Sequence, residues 1–391
     1  MFRKLAILIV LLPVLLYVAA WVFVELLHAA YDSRPWPENL GVLADTPNRY
    51  PAAESNAAAE TLMKLTPPIG ISITPGVTRT ETRGAYESVK KSFADYVSAQ
   101  LERPSDQSAP PPADVAAFLS DHQTQIDRVR DHIATAGPIR WLMHFREGAD
   151  APIPNLLGFM SLSRVFTARA LAKAANHDAT AWDDLRAVWL LDRELWKRPE
   201  LISQLIALAG TRYVNAAAIK MPLPAPSWLG ELESHNYRRD LASAFQAQAC
   251  SWTFTWRNEL RKAKARNVFA YPYVAASAID AAERLRRETS RIVAMSKCNL
   301  SYVEPVSITR WNIIGRIVFP NLTEAWQRLY RFQAEREATS KVLALQSGET
   351  PPATSACSDG KWLISANSIR FDPPIPINSG VKYPLAYEVA H

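Results

Sequence analysis

The sequence predicts a mostly α-helical protein with an N-terminal transmembrane helix, an irregular array of further helices and a small C-terminal β-hairpin or extended tail. An uncharged apolar run of twenty residues, Leu5 to Val24, stands near the start. Apolar residues then recur at three- and four-residue spacing as far as Ser347, after which short strand-like runs replace that pattern. The 391 residues are 48% hydrophobic and 21% charged. This composition is typical of a globular protein and excludes a disordered chain.

The apolar run is long enough to cross the ~30 Å hydrocarbon core of a bilayer as a helix. Arg3 and Lys4 precede it and Glu25 follows it, so the positive-inside rule places the N-terminus in the cytoplasm and the rest of the chain outside. The alternative is a cleaved signal peptide, for which Val18-Ala19-Ala20 is an acceptable cleavage triplet. Because the apolar run continues past that triplet, we expect an uncleaved anchor in a bacterial inner membrane, with a periplasmic C-terminal domain.

Composition and periodicity divide the chain into four parts. We expect a cytoplasmic tip and transmembrane anchor over 1–30, a Pro-rich stalk or a strap on the folded body over 31–53, a helical domain over 54–346, and an extended or β segment over 347–391. Helices are predicted over 54–65, 84–101, 114–136, 156–175, 182–196, 201–219, 228–268, 275–295 and 322–345. Short strands are predicted over 361–365 and 368–371.

The residues of the central helices carry a family resemblance. The polar turn Asn176-His177-Asp178, then Trp182 and Leu185, and Pro199 after the second helix resemble a helical hairpin of the tetratricopeptide kind. The first helix lacks the usual Trp and Gly, and no second copy follows at a period of ~34 residues. The chain also resembles uncharacterised bacterial membrane-anchored helical proteins through Asn56-Ala57-Ala58 and the segment from Asp183 to Leu205. The resemblance implies a helical array and no known activity.

Three cysteines, Cys250, Cys298 and Cys357, lie beyond the predicted anchor, in what should be an oxidising compartment. Cys250 falls in an apolar helical context and is expected to be a buried small hydrophobe. Cys298 and Cys357 lie where helical patterns break, so they are the predicted disulfide pair. Three unpaired structural cysteines remain the alternative.

No residue pattern predicts a catalytic group, a cofactor or a metal site. The chain has no Gly-x-Ser-x-Gly motif. His122 and His132 are ten residues apart on one predicted helix, which turns them by about 80° from each other and prevents them from sharing a metal ion. Asp183-Asp184 and Glu231/Glu233 stand early in predicted helices, where carboxylates complement the positive helix end.

Basic residues concentrate between 257 and 297, where ten basic residues stand against four acidic ones, an excess equal to the net charge of +6 of the whole chain. On a continuous helix Arg257, Arg261 and Lys264 would lie near one face, with Lys262 and Arg266 on its flank. Such a surface is suited to anionic lipid headgroups or an acidic envelope partner. An ordinary solvated face with helix-surface ion pairs is the alternative.

These observations favour a membrane-anchored, non-enzymatic scaffold or protein-interaction module of the bacterial envelope. Its expected partners are the membrane and an envelope protein, while the compartment argues against nucleic acid. The alternative is an envelope hydrolase, which would need two carboxylates that converge in one groove.

Overall fold

The computed structural model of the chain describes residues 2–76, 84–262, 270–294, 309–318, 322–357, 360–374 and 383–389. Over these residues it confirms the predicted fold class, a mostly α-helical body with an N-terminal apolar helix and a small C-terminal sheet. The helices are α1 (Phe2–Asp32), α2 (Thr46–Arg49), α3 (Ala57–Leu65), α4 (Ala85–Leu101), α5 (Ala113–Asp121), α6 (Gln123–Thr135), α7 (Leu156–Ala174), α8 (Ala181–Trp196), α9 (Leu201–Ala218), α10 (Leu229–Ser234), α11 (Tyr237–Lys262), α12 (Tyr271–Ala294), α13 (Ile313–Val318) and α14 (Leu322–Gln346). The strands are β1 (Lys361–Ser365), β2 (Ser368–Asp372) and β3 (Ala386–Glu388).

Two of the predicted helices are each divided in two. The run 114–136 forms α5 and α6, which separate at His122, where the ring stacks on Phe118 at 4.3 Å and Nδ1 lies 3.0 Å from the Phe118 carbonyl oxygen. The run from 228 forms α10 and α11, because Asn236 Oδ1 accepts a hydrogen bond from Arg239 N and starts a new helix. Polar side chains that bond to nearby backbone compete with helix continuation. The predicted residues 263–268 lie outside the described chain.

The centre of the body is formed by α7, α8 and α9, which pack on one another. Small side chains on these helices, including Ala168, Ala170, Ala187 and Ala207, are at most 1% exposed. Because alanine adds little side-chain bulk, the helix axes can approach closely. The alanine-rich sequence of this region therefore accounts for its packing.

The helix α1 continues from its apolar part into the folded body. Side chains between 11 and 27 are largely exposed, with Leu15 at 62% and Leu26 at 65%. Within this stretch Val24 is 4% exposed where α12 packs alongside, and Tyr31 in the last turns of the helix is 3% exposed. The chain thus has one N-terminal helix that is long and apolar enough to span a membrane, and its last turns belong to the core.

The Pro-rich segment after α1 lies against the body as a strap. Trp36, Leu40 and Leu43 are at most 7% exposed and join the main core. Arg238 of α11 forms an ion pair with Glu38, which fixes the strap from outside. Of the two alternatives for this segment, a stalk or a strap, the buried side chains correspond to the strap.

The C-terminal sheet has the order β1-β2-β3 and is antiparallel throughout. Trp362 pairs with Phe371, and Ile369 pairs with Tyr387, so that one face of the sheet is buried. The strand β3, a short run near the C-terminus, pairs with β2 and adds a third strand to the predicted hairpin. Trp362 Nε1 donates a 2.8 Å hydrogen bond to a Glu337 carboxylate oxygen on α14, which holds the sheet on the helices.

Candidate functional site

A cleft of about 490 Å³ opens where the first turns of α4 and α7 meet the segment 70–72. This volume falls in the range of roughly 300–1,000 Å³ that is typical of small-molecule sites. Its walls carry both apolar and polar side chains, and α9 contributes Ile206 to one side. The cleft is therefore a candidate binding site.

Glycines allow the backbone segments around the cleft to approach closely. A Cβ atom on Gly158 would overlap the Ser72 carbonyl oxygen, and one on Gly70 would overlap the backbone nitrogen of Tyr86. Gly70 also has φ +73°, which L side chains rarely adopt. Asn155 caps α7 by accepting from Gly158 N at 3.2 Å, and its Nδ2 donates to the Ser72 carbonyl at 2.9 Å. These contacts fix the relative position of the cleft walls.

Arg164 of α7 is a half-buried cation in the wall of this cleft. Burial works against its charged form, but the hydroxyls of Tyr213 and Tyr86 interact with the guanidinium and raise its pKa, so it stays charged. No carboxylate among the described residues forms an ion pair with it. A half-buried charge with only hydroxyl neighbours is poorly compensated.

Tyr86 lies beside Arg164 and is 2% exposed. Burial raises its pKa to about 12, so the phenol is neutral at physiological pH. Ser161 and Arg164 face the hydroxyl, yet within the described chain no atom meets it with good hydrogen-bond geometry. The cleft thus contains a buried hydroxyl with spare hydrogen-bonding capacity.

The rim of the cleft is partly apolar. Leu157 is 69% exposed on its edge, and Met160 and Ile206 line it. Lys90 and Glu87, also in the lining, form an ion pair of 3.2 Å with each other on α4. The charges of this pair cancel, so the described lining residues carry a single net positive charge, that of Arg164.

Outside the cleft, a buried ion network joins α6, α7 and α8. Asp184 is fully buried and pairs with Arg169 and with Lys173, whose Nζ lies 2.9 Å from Oδ2. Arg169 Nη1 also lies 2.8 Å from Asp127 Oδ1. Asp183 and Asp184 both lie in the first turn of α8, where helix-end electrostatics places them, and Asp184 is in addition an ion-pair partner of α7. Asp183 is exposed.

Asp192 is a second buried acid, 1% exposed on α8. Burial raises its pKa well above the usual value, although a hydrogen bond with Thr211 opposes this. Thr211 Oγ1 lies 2.7 Å from the Ala207 carbonyl oxygen and 3.3 Å from Asp192 Oδ2. Thr211 thus divides one hydroxyl proton between two acceptors, and no cation among the described residues pairs with Asp192, so burial favours the protonated carboxyl. Asp192 is thus a neutral core group.

Lys220, just after α9, holds the loop 103–107. Its Nζ donates to the carbonyl oxygens of Arg103, Ser105 and Gln107 and is part of a side chain only 5% exposed. Burial lowers its pKa to about 8, with the charge of Arg103 acting in the same direction. Because the loop carbonyls surround the amine, its role is structural.

The carboxylate pair that a hydrolase would need does not appear in either of two clefts of the described chain. Glu87 is the one acid that lines the cleft at α4 and α7, and Glu388 is the one acid in a groove of about 460 Å³ along the sheet. Among the described residues, no group of three His, Cys, Asp or Glu side chains could hold a metal ion. His122 and His132 instead contact backbone carbonyls.

The structure describes two of the three cysteines. Cys357 is disulfide-bonded, and Cys250 is buried and does not form a disulfide. Cys298 lies outside the described residues. The pairing of Cys298 with Cys357 therefore stays a prediction.

The predicted basic surface falls largely outside the described side chains. Arg257, Arg261 and Lys262 belong to the last turns of α11, but only their backbone is described. Lys264 and Arg266 lie beyond the described residues. The contact of this surface with anionic headgroups stays a prediction.

An exposed aromatic patch lies near the point where α1 leaves its apolar part. Trp21 of α1 stacks on Tyr271 at 4.1 Å, at the start of α12. Two residues on, Tyr273 is 40% exposed, and its hydroxyl donates to the Trp311 carbonyl at 3.2 Å. Trp311 and Ile313 are 48% and 61% exposed. Exposed aromatic residues of this kind are enriched at membrane–water interfaces.

No protein-family model matches the chain, and the comparisons with curated proteins and with solved structures give no match either. The likeness of α7 and α8 to a tetratricopeptide hairpin stays a prediction. We therefore infer the function from the residues of this chain and their contacts.

Proposed function

We propose that the chain is a single-pass protein of a bacterial inner membrane, whose helical body faces the periplasm and binds another component of the envelope. The observation that carries this proposal is the continuity of α1. Its apolar part exposes Leu15 and Val22, whereas Val24 at the end of that part and Tyr31 in the last turns are buried against the body. A helix shared in this way holds the body at a fixed height and orientation above the membrane.

The charges at the start of α1 indicate which end of the helix faces the cytoplasm. Arg3 and Lys4 precede the apolar run and would stay in the cytoplasm. The aromatic patch of Tyr273, Trp311 and Ile313 would then lie at the outer headgroup layer, beside Trp21. This arrangement supports a tether that orients the body, as a binding module at a membrane requires.

A binding role, rather than hydrolysis, is supported by the cleft at α4 and α7. It combines the exposed Leu157 and a half-buried cation with a single carboxylate that is already paired. Such a site can recognise a ligand but lacks the acid and base pair of a glycosidase.

In situ photocrosslinking tests this proposal. A benzophenone amino acid at Leu157 of the full-length protein in its native membrane should give one adduct of defined mass. The same probe at Lys361, exposed on the sheet, is the matched control and should give none. The same adducts at both positions, or none at Leu157, would contradict a binding role for the cleft.

A further inference from the structure

The charge of the cleft at α4 and α7 limits the ligands that it can hold. Lys90 and Glu87 neutralise each other across 3.2 Å, which leaves Arg164 as the uncompensated cation among the described residues that line the cleft. A monoanion balances this site, whereas a phosphate that carries about two negative charges would exceed it. The planar guanidinium also matches the two oxygens of a carboxylate in a bidentate contact.

Hydroxyl groups beside Arg164 would complete the recognition of a carboxylate. Tyr86 is 2% exposed, and its hydroxyl has no partner of good geometry among the described atoms. Its phenol stays protonated up to high pH because burial raises the pKa to about 12. It can therefore donate a hydrogen bond to an anion at neutral pH.

The apolar rim indicates what the carboxylate is attached to. Leu157 is 69% exposed at the edge, and Ile71, Met160 and Ile206 continue the apolar surface inward. On α9, Ile202 stands one turn before Ile206 and is 48% exposed. A purely polar acid would leave this surface in water, whereas an acid with an apolar chain would cover it.

We propose that the cleft binds a carboxylate attached to an apolar group, with Arg164 and Tyr86 on the carboxylate and Leu157 and Ile206 on the apolar part. A free organic acid and the C-terminus of an apolar peptide share this chemistry. The proposal rests on the binding role proposed above and names its ligand class.

Calorimetric titration of the full chain in lipid nanodiscs tests the proposal with four organic probes and with inorganic phosphate. Hexanoate and acetyl-Leu-Leu with a free carboxylate should both bind, and the tighter of the two identifies the source. Hexanol and the amidated dipeptide should bind about tenfold or more weakly, because a hydrogen bond to a charged group contributes about 1.5–3 kcal/mol.

Four variants support the titration. Arg164→Gln should weaken acid binding about tenfold or more, whereas Arg164→Lys should keep part of it. Leu157→Glu adds a like charge at an exposed position that folding does not require, so its weaker binding cannot be ascribed to misfolding. Lys361→Gln, on the distant sheet surface, should bind as the wild type does.

Equal binding of acid and amide, tighter binding of inorganic phosphate, or full binding by Arg164→Gln would overturn the proposal. These outcomes leave the Leu157 photocrosslink untouched, so the ligand class can fail while the binding role stands. Conversely, if the acids bind but the probe at Leu157 gives no crosslink, the proposed envelope partner would be refuted while the carboxylate ligand class would stand.

Discussion

Asp192 shows how a single buried acid couples folding to pH. It is 1% exposed, and burial favours the protonated form of its carboxyl, which accepts a hydrogen bond from Thr211. Its raised pKa means that the folded chain binds a proton that the unfolded chain releases above its ordinary pKa. The stabilising contribution of this proton is complete at acid pH and is lost as the pH rises through the folded pKa.

Asp192→Asn should therefore raise the free energy of unfolding at pH 8 relative to the wild type. The amide is neutral at every pH, so it can be buried and accept the Thr211 hydrogen bond without first binding a proton. The difference should shrink towards pH 4, as the wild-type acid becomes protonated in both states. Urea unfolding at both pH values measures it. Asp183→Asn, at an exposed neighbouring position, is the control. The neutral carboxyl would be contradicted if the free energy of unfolding of the variant, taken relative to the wild type, were lower at pH 8 than at pH 4.

Lys220 has the opposite pH dependence. Its pKa of about 8 in the folded chain lies below the ordinary lysine value, so the unfolded chain binds more protons between these two values. From pH 8 to pH 10 its burial becomes less costly, and stability should rise by at most about 1.4 kcal/mol per pH unit.

Lys220→Met should remove this rise, although the variant loses the hydrogen bonds to the loop 103–107 and starts from a lower stability. The measurement is the slope of unfolding free energy against pH, which separates the titration from the lost bonds. Lys361→Met, at an exposed lysine, should keep the wild-type slope. An unchanged slope in Lys220→Met would show that the amine is charged throughout.

At the scale of elements, the contact of α7 with the segment 70–72 depends on Gly158. Its missing side chain lets the helix approach the Ser72 carbonyl, and Asn155 bonds to both partners. The same contact builds one wall of the cleft. Gly158 is therefore required both for the packing of α7 and for the shape of the cleft.

Gly158→Ala should lower the free energy of unfolding by about 1–3 kcal/mol, because the added methyl group would overlap backbone that cannot move freely. Gly230→Ala is the matched control, since an exposed glycine in α10 has open space where the methyl group would stand. There the change should be neutral or stabilising by up to about 1 kcal/mol. Equal effects of the two changes in chemical denaturation would contradict the close contact.

The sequence predicted elements better than it predicted contacts. Apolar spacing located α7, α8, α9 and both strands of the hairpin to within a residue or two at each end. It missed the breaks at His122 and Asn236, because those depend on side-chain bonds to local backbone that periodicity does not record. The strand β3 was missed because three residues are too few to show alternation.

The cleft could not be predicted because its residues come from segments that are distant in sequence. Gly70, Tyr86, Asn155 and Arg164 converge only when α4 and α7 pack. One local signal was available, namely Asn155 three residues before Gly158 at a helix start, which is typical of an N-cap. Nothing local distinguishes Arg164 from an ordinary surface arginine, since its lack of a carboxylate partner is a property of the fold.

At the scale of the whole molecule, Cys357 between α14 and β1 takes part in a disulfide. If the partner is Cys298, the bridge closes a loop of about 60 residues and should stabilise the fold by roughly 3–4 kcal/mol. Mass spectrometry of unreduced peptides should find these two cysteines linked, and Cys250 as a thiol. A linked peptide that contains Cys250 would refute the pairing.

We propose that α1 anchors the body in a membrane and that the body lies outside the cytoplasm. Glu349→Cys introduces a thiol at an exposed turn after α14, far along the chain from α1. The direct measurement is labelling of this full-length variant in intact spheroplasts with a membrane-impermeant maleimide, followed by alkaline extraction of the membranes. An anchored body outside the cytoplasm should be fully labelled without permeabilisation, and the labelled protein should stay full-length in the membrane pellet. Labelling only after permeabilisation, or a shortened protein in the supernatant, would contradict it.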